Sequence, residues 1–430
     1  MTIAELDDTG RHARTRSDAV SFTGALIGPT ASPITDLRTH HATYGDLPHL
    51  APHDVIRLAA DAGLTGHGGA GFPLWRKLEA VAAARGRAVV VANGAEGEPA
   101  SAKDRWLLAH RPHLILDGLQ LVARAVAAHE AFVYANPRAP LAHLGAALGQ
   151  RQRARIDRLP ATLVAAHDAF VAGEESAVAG YLSGGLPIPR TKPPRVVEKG
   201  VRGRPTLVSN VETLALLALI ARRGPEWFRS MGTAEQPGTM LFTVSGAVRH
   251  PGVVEAPHGT PLADIVDLAG GATARLQAVL LGGYHGTWLT AHEAAGATMS
   301  RAQLATFGAS PGAGVVVAIG AETCGLVEMA RVMNYLAHES AGQCGPCLNG
   351  LPRIASQVRS LAYQGRDQRV VAELERVAGL VVGRGACHHP DGSVRFLRSG
   401  MRVFAAEIAL HAQGRCSRTS DAAVLPTHTA

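Results

Sequence analysis

The chain is predicted to fold as α/β: a layer of parallel strands first, a small β-grasp-like module second, a helical bundle last. Three observations lead there. Strand-like and helical runs alternate between 46 and 230, the order that builds parallel sheets through crossover helices. After Pro237 the texture becomes β-rich around a Pro-Gly turn. From Thr323 to 413 apolar residues recur with helical period.

Residues 1–45 show no sustained periodicity and read as a mostly irregular N-terminal arm. Within 46–236, AVVVAN (88–93), AFVYAN (131–136) and ATLVAAHDAF (161–170) read as buried strands. LILDGLQLVARAV (114–126) and LAHLGAALGQRQ (141–152) read as the helices between them. Within 237–322, MLFTVSGAVRHPGVVEAP (240–257) gives two strands and LADIVDLAGG (262–271) a short helix; AVLLGG (278–283) and GVVVAIG (314–320) complete the module. Four amphipathic runs in 323–413 predict a four-helix bundle. Residues 414–430 read as a disordered tail.

Hydrophobic residues make up 47% of the 430, enough for a sizeable core, but only 4% are aromatic, so Ala, Val and Leu must fill it. The longest apolar run, TLALLALIA (213–221), is about half of the ~18 residues that suggest a membrane span, so no direct membrane insertion is expected. The charged N-terminus lacks a signal-peptide apolar core, and a cytoplasmic location is the expectation. The net charge of +7 comes from dispersed arginines without interleaved aromatics, which argues against nucleic acid. Four lysines, Lys77, Lys103, Lys192 and Lys199, all fall between 77 and 199. A compact ammonium there suits a tight phosphate or nucleotide contact that a broad guanidinium does not; chance usage is the alternative, preferred for Lys199. The cysteines, Cys324, Cys344, Cys347, Cys387 and Cys416, are an odd, clustered set, pointing to metal or redox use.

GHGGAGFP (66–73) contains G-x-G-x-x-G at Gly66, Gly68 and Gly71, but DVIRLAADAGL before it reads as a helix, where a dinucleotide fold wants a strand. What remains is a glycine loop opening a helix near Leu74 with Lys77 in its first turn. Such a helix start can cradle a phosphate; an ordinary flexible loop is the alternative. NGAEGEPASAKDR (93–105) and AGEESAVAGYLSG (172–184) each follow a strand, where α/β sheets place ligands. Each alone is readable as a solvated charged loop.

ESAGQCGPCLNGLP (339–352) carries Cys344-Gly-Pro-Cys347, which reads equally as a thioredoxin-type dithiol, half a zinc site or part of an iron–sulfur ligand set. A thioredoxin dithiol follows a strand inside a βαβ fold, whereas this pair lies between two predicted helices.

GHGGAGFP, EPASAKDR, GEES, KPP (192–194), PTLVSNVETLA (205–215) and the CGPC segment occur in this order in one family. Over about 50–413 the chain resembles the NADH-oxidising flavoprotein subunit of respiratory complex I and its relatives in NAD-linked hydrogenases and formate dehydrogenases. The resemblance implies an FMN-binding Rossmann-like α/β domain, a β-grasp soluble-ligand-binding (SLBB) domain and a four-helix iron–sulfur bundle. It places the loop Gly66, Gly68, Gly69 and Gly71 with Lys77 at the FMN phosphate and ribityl chain, and Asn93, Asn210 and Thr213 against FMN. Phe72, Glu96, Glu98, Glu175 and Lys192 would line the nicotinamide-nucleotide side.

By the same resemblance Cys344, Cys347 and Cys387 are cluster ligands, but the first ligand position holds Ala341. The group would be a [4Fe-4S] cluster with a non-Cys fourth ligand, drawn from Cys324, His388, His389, water or a partner, or a [3Fe-4S] cluster. A Cys3His zinc site using His388 is the rival. Other departures are His67 for an arginine, Ala95 for a flavin-contacting aspartate, and Ala80 and Arg195 for two adenine-stacking aromatics. The lone histidines His258 and His285 read as surface or turn residues.

The expected function is FMN-dependent oxidation of NADH or NADPH, with electrons leaving through the altered cluster to a ferredoxin-like or other electron-accepting subunit. The alternative is a catalytically reduced paralogue serving as a flavin-binding electron-transfer or scaffold subunit. Arg195, beside the Lys192-Pro-Pro turn, could pair with the 2′-phosphate that NADPH carries.

Overall fold

In the computed structural model, residues 24–28, 32–364, 368–419 and 422–427 are described. Helices α1 (Leu37–Tyr44), α2 (Pro52–Ala62) and α3 (Leu74–Ala83) precede strand β1 (Val89–Gly94). Helices α4 (Lys103–His110) and α5 (Pro112–Ala125) lead to β2 (Glu130–Ala135), and α6 (Leu141–Ala154) leads to β3 (Ala161–Ala165). Then come α7 (Glu175–Leu182), β4 (Thr206–Asn210), α8 (Val211–Arg223) and α9 (Pro225–Arg229). The four strands form one parallel sheet in the order β3-β2-β1-β4.

Both faces of that sheet are covered, which is why its central strands read as apolar runs. On one face lie α5 and α8, nearly every residue of both buried. Gly118 lets their backbones meet, since a Cβ there would stand 2.0 Å from the Leu214 carbonyl oxygen. On the other face Val89, Val91, Tyr134 and Val208 pack with Val178 and Leu182 of α7. The run 161–170 is a strand only to Ala165 and is half-exposed, not buried, because β3 is the sheet's edge.

The next unit is a five-stranded mixed sheet, β5 (Thr239–Gly246), β6 (Gly252–Pro257), β7 (Leu276–Leu281), β8 (Thr287–Thr290) and β9 (Val315–Gly320), with short helices α10 (Leu262–Leu268), α11 (Ala291–Gly296) and α12 (Arg301–Ala305). Its strand order is β6-β5-β9-β7-β8, the central pair β5 and β9 being parallel. Helices α13 (Gly325–His338), α14 (Leu351–Gln364), α15 (Gln368–Val381), α16 (His389–Val403) and α17 (Ala405–Ala412) follow. The last of the four amphipathic runs, VRFLRSGMRVFAAEIALHA (394–412), is not one helix but breaks at Phe404 (φ −101°, ψ 23°). The break turns that ring inward against Trp288, centroids 5.0 Å apart.

Two further expectations are corrected. Within the arm read as irregular, Asp36 caps α1 by accepting the Thr39 N–H at 2.9 Å. His40 of α1 is buried 2.8 Å from Asp117, and this tertiary contact holds a helix that lacks an apolar stripe. Residues 25–27 donate three amides to the buried Glu255 carboxylate of β6. The tail read as disordered also packs where it is described: Leu425 is 1% exposed and its N–H donates to Glu328 at 2.8 Å. Burying one leucine stabilises by about 1.5–3 kcal/mol, enough to help pin the short segment 422–427.

Candidate functional site

Parallel registry brings Asn93 of β1 directly opposite Asn210 of β4, both at the carboxyl end of the sheet. Asn93 donates to the Gly173 carbonyl at 2.9 Å, so its amide is fixed by the turn before α7. Asn210 caps α8 through the Glu212 N–H at 2.9 Å and donates to Asp104 at 2.6 Å. The glycine loop lies against this edge: a Cβ on Gly68 would stand 3.5 Å from Cβ of Asn210. Gly69 and Gly71 have φ of +105° and +63°, conformations that favour glycine. The loop closes on itself where Gly66 N–H donates to Phe72 C=O at 2.9 Å. Lys77, one turn into α3, donates to the Val208 carbonyl of β4 at 3.2 Å. Thr213 accepts the His67 N–H at 2.9 Å, fastening the loop to α8.

Beneath the loop runs a buried charge network that the sequence did not disclose. His67 Nδ1 is 2.9 Å from Glu212, and Lys103 donates to both Glu212 (2.8 Å) and Asp104 (2.7 Å). Burial alone would raise the Glu212 carboxyl, but the Lys103 charge and His67 outweigh it and hold it at about 2. Glu212 also accepts the Leu241 N–H of β5, joining the two sheets' units. His258, read as a surface residue, is 6% exposed and faces the His67 ring at 5.7 Å. His285 is no free turn residue either: it lies 3.0 Å from His389.

On the nucleotide side, Glu175 bridges Lys192 (2.7 Å) and Lys77 (3.4 Å). Burial pushes its carboxyl up, and the two ammonium groups together bring it below the usual value. Phe72 is 41% exposed, presenting its ring to solvent. Ala80 and Arg195 are exposed, and Ala95 is buried. Glu96 caps α4 by accepting the Ser101 hydroxyl and the Asp104 and Arg105 N–H groups at 2.6–3.0 Å. Glu98 accepts the Tyr284 N–H at 2.7 Å and that of Ala100 at 3.2 Å. Burial raises its carboxyl to about 7, against those two amides.

These residues fit a flavin mononucleotide. The first turn of α3 has no side-chain cap and its Leu74 N–H is taken by the Leu64 carbonyl, so the N–H groups of Trp75 and Arg76 with the Lys77 ammonium offer a phosphate its complement. Gly68 brings the loop backbone close to Asn210, since even a Cβ there would already touch the Asn210 side chain.

The three cysteines named from the sequence also come together. Cys344 and Cys347 lie between α13 and α14, with one turn of π-helix over Pro346–Gly350. Cys344 accepts the Ala386 N–H at 3.4 Å, next to Cys387. Burial, with the neighbouring Cys387 and Cys344, pushes the Cys347 thiol up to about 12. Three convergent thiols fit an iron–sulfur group with three protein ligands. Two of the candidate fourth donors, Cys324 and His389, are engaged elsewhere. Cys324 caps the far end of α13, a 14-residue helix about 21 Å long. His389 is taken up at both ring nitrogens, by His285 (3.0 Å) and the Leu336 carbonyl (2.8 Å). The His388 side chain is 98% exposed.

Comparison with known proteins agrees with this geometry. Residues 59–218 match the Nuo51 FMN-binding domain, 241–283 the SLBB domain, and 328–411 the NADH-ubiquinone oxidoreductase-F iron-sulfur binding region. The chain is 31% identical to an F-type subunit (form 2) of the NADH-quinone oxidoreductase of Rhizobium meliloti (strain 1021), over 86% of this chain and 91% of that one. It is 30% identical to the F-type subunit of the NADH-quinone oxidoreductase of Streptomyces coelicolor, over 85% and 84%. A chain of the air-oxidized NAD+-reducing [NiFe]-hydrogenase superimposes with a TM-score of 0.78 at 31% identity, over 84% of this chain but only 63% of that one. The chain belongs to the family of F-type subunits of NADH-quinone oxidoreductase.

Proposed function

We propose that this chain oxidises NADH through bound FMN and passes the electrons through an iron–sulfur group to a partner protein. The observation that carries the proposal is the meeting of the glycine loop, Lys77, Asn93, Asn210 and Thr213 at one sheet edge, in a chain whose three cysteines converge elsewhere. Bound there, FMN supplies two-electron acceptance and one-electron release, and the iron–sulfur group supplies one-electron carriage.

The chain's own residues bind and position. Lys77 balances phosphate charge at the start of α3. Asn93 and Asn210, each fixed by a backbone partner, present polar edges whose orientation needs no reordering on binding. Glu175 and Lys192 form the polar wall toward the nucleotide, and Phe72 offers a face for adenine. The electron acceptor is a ferredoxin-like or other electron-carrying subunit, and such a partner would make the chain peripheral to any membrane. Among the described residues no helix is long and apolar enough to cross one.

Ala341 and the hydrogen-bonded His389 favour a second reading, in which the chain holds flavin without oxidising NADH. Absorption spectra of anaerobically purified protein before and after NADH separate the two. Bleaching of the flavin band supports oxidation. A flavin band that NADH leaves unchanged supports the second reading, and protein that stays colourless after FMN reconstitution overturns both.

A further inference from the structure

At the opposite end of α13 from the three convergent cysteines, Cys324, Glu407, His411 and Cys416 turn their ligand atoms to one point. All four atoms lie within 4.8 Å of one another. Cys324 Sγ is 3.4 Å from His411 Nε2 and 3.6 Å from Glu407 Oε1, and those two are 3.1 Å apart. Tetrahedral bonds of ordinary zinc lengths, about 2.3 Å to sulfur and about 2.0–2.2 Å to nitrogen or oxygen, put ligand atoms about 3.3–3.8 Å from each other. The observed spacings fall close to that range without a rearrangement of the helices.

The surroundings are arranged as around a metal. His411 Nδ1 is 2.8 Å from the Ala362 carbonyl, which fixes the ring proton there and leaves the Nε2 lone pair facing the cluster. Glu407 accepts the Ser417 N–H at 2.9 Å, orienting its carboxylate. Glu407 and His411 are four apart on α17, one above the other on a single helix face. Cys324, Glu407 and His411 are buried and Cys416 is exposed, so the fourth ligand doubles as the entry point.

We infer that these four side chains bind one divalent zinc ion, independently of the iron–sulfur group. Two thiolates, one imidazole and one carboxylate at tetrahedral spacing suit zinc better than a harder or redox-cycling ion. The ion would tie the turn after β9, helix α17 and the C-terminal segment together, holding the bundle closed.

The test uses the full chain, purified anaerobically without chelator from zinc-containing medium. One zinc per chain is expected by mass-spectrometric metal analysis. Cys416→Ser and His411→Gln should each lower the zinc retained after chelator challenge at least tenfold while leaving iron unchanged, and Cys344→Ser should do the reverse. Because Cys324 is buried and its replacement risks misfolding, exposed Cys416 carries the test. Cobalt added to metal-depleted protein should give the visible band of a tetrahedral thiolate site, absent in Cys416→Ser. Wild-type protein with neither zinc nor a cobalt band overturns the inference. So does zinc that survives Cys416→Ser but not Cys344→Ser, or a Cys324–Cys416 disulfide in the anaerobic protein.

Discussion

The Lys103 ammonium donates to Glu212 at 2.8 Å, and neither side chain reaches solvent. Lys103 also holds Asp104, while Glu212 reaches back to His67 of the glycine loop and forward to the Leu241 N–H. One buried cation thus ties two carboxylates together at the floor of the candidate flavin site. Removing one partner of a buried pair costs about 3–5 kcal/mol, because the other charge stays desolvated and unpaired. Lys103→Met should therefore lower stability by that amount in urea titrations. A midpoint within 0.5 M of wild type at unchanged slope (a loss of roughly 1 kcal/mol or less) would reject this account of the network.

Glu98 should impose a pH dependence on the joint between the two sheets' units. Its folded carboxyl sits at about 7, above its usual 4.5, because burial outweighs the Tyr284 and Ala100 amides. The protonated form is favoured by folding, so its contribution is fully present below about 4.5 and is lost as pH rises through about 7. In the flavin-free protein, the stability of wild type relative to Glu98→Gln should fall across that window. Parallel curves for the two proteins from pH 4.5 to 8 would count against a raised carboxyl.

Much of this was legible from order and period. The strands AVVVAN and AFVYAN read as β because both faces of β1 and β2 are covered, and the ordered motifs located the glycine loop and three thiols. Short β4 and β8 escaped, since four or five residues carry no period to detect. The charge network escaped for another reason: Lys103 and Glu212 are 109 residues apart, and only the fold makes them neighbours. The helix spacing of Glu407 and His411, with Cys416 five residues on, was readable. What it lacked was Cys324, which the chain brings from before α13. Glu96 and Glu98 read as ligand carboxylates, and the backbone N–H groups they also accept come from the fold, not from a motif.

Lys77→Ala should weaken FMN binding. Its ammonium is the cation at the start of α3, and Glu175 retains Lys192 when it is removed. A charge-assisted phosphate contact is worth about 1.5–3 kcal/mol, or roughly ten- to a hundredfold in affinity. Fluorescence titration of the flavin-free protein measures it. Equal affinity in wild type and variant would move the phosphate away from Lys77.

Arg195 tests the choice of nucleotide. It is exposed, three residues beyond Lys192, and its N–H donates to Glu198 at 3.2 Å. A guanidinium free to turn toward the nucleotide can pair with a 2′-phosphate. Arg195→Phe should then shift flavin reduction toward NADH over NADPH by roughly tenfold or more. An unchanged ratio of the two rates would leave Arg195 a solvent-facing residue.

The three thiols make the sharpest case for the cluster. Cys344→Ser, Cys347→Ser and Cys387→Ser should each remove most iron and acid-labile sulfide from anaerobic preparations, because among the described residues three thiols are placed to hold the cluster and losing one leaves two. Ala341 is only partly buried and lies just ahead of Cys344, so a thiol there meets no closed core. Ala341→Cys should accordingly raise the iron retained after exposure to air, as a fourth thiolate completes the set. Zinc that Cys344→Ser removes and Cys416→Ser does not, with no iron or sulfide and no effect of Ala341→Cys, would instead identify these thiols as a structural metal site.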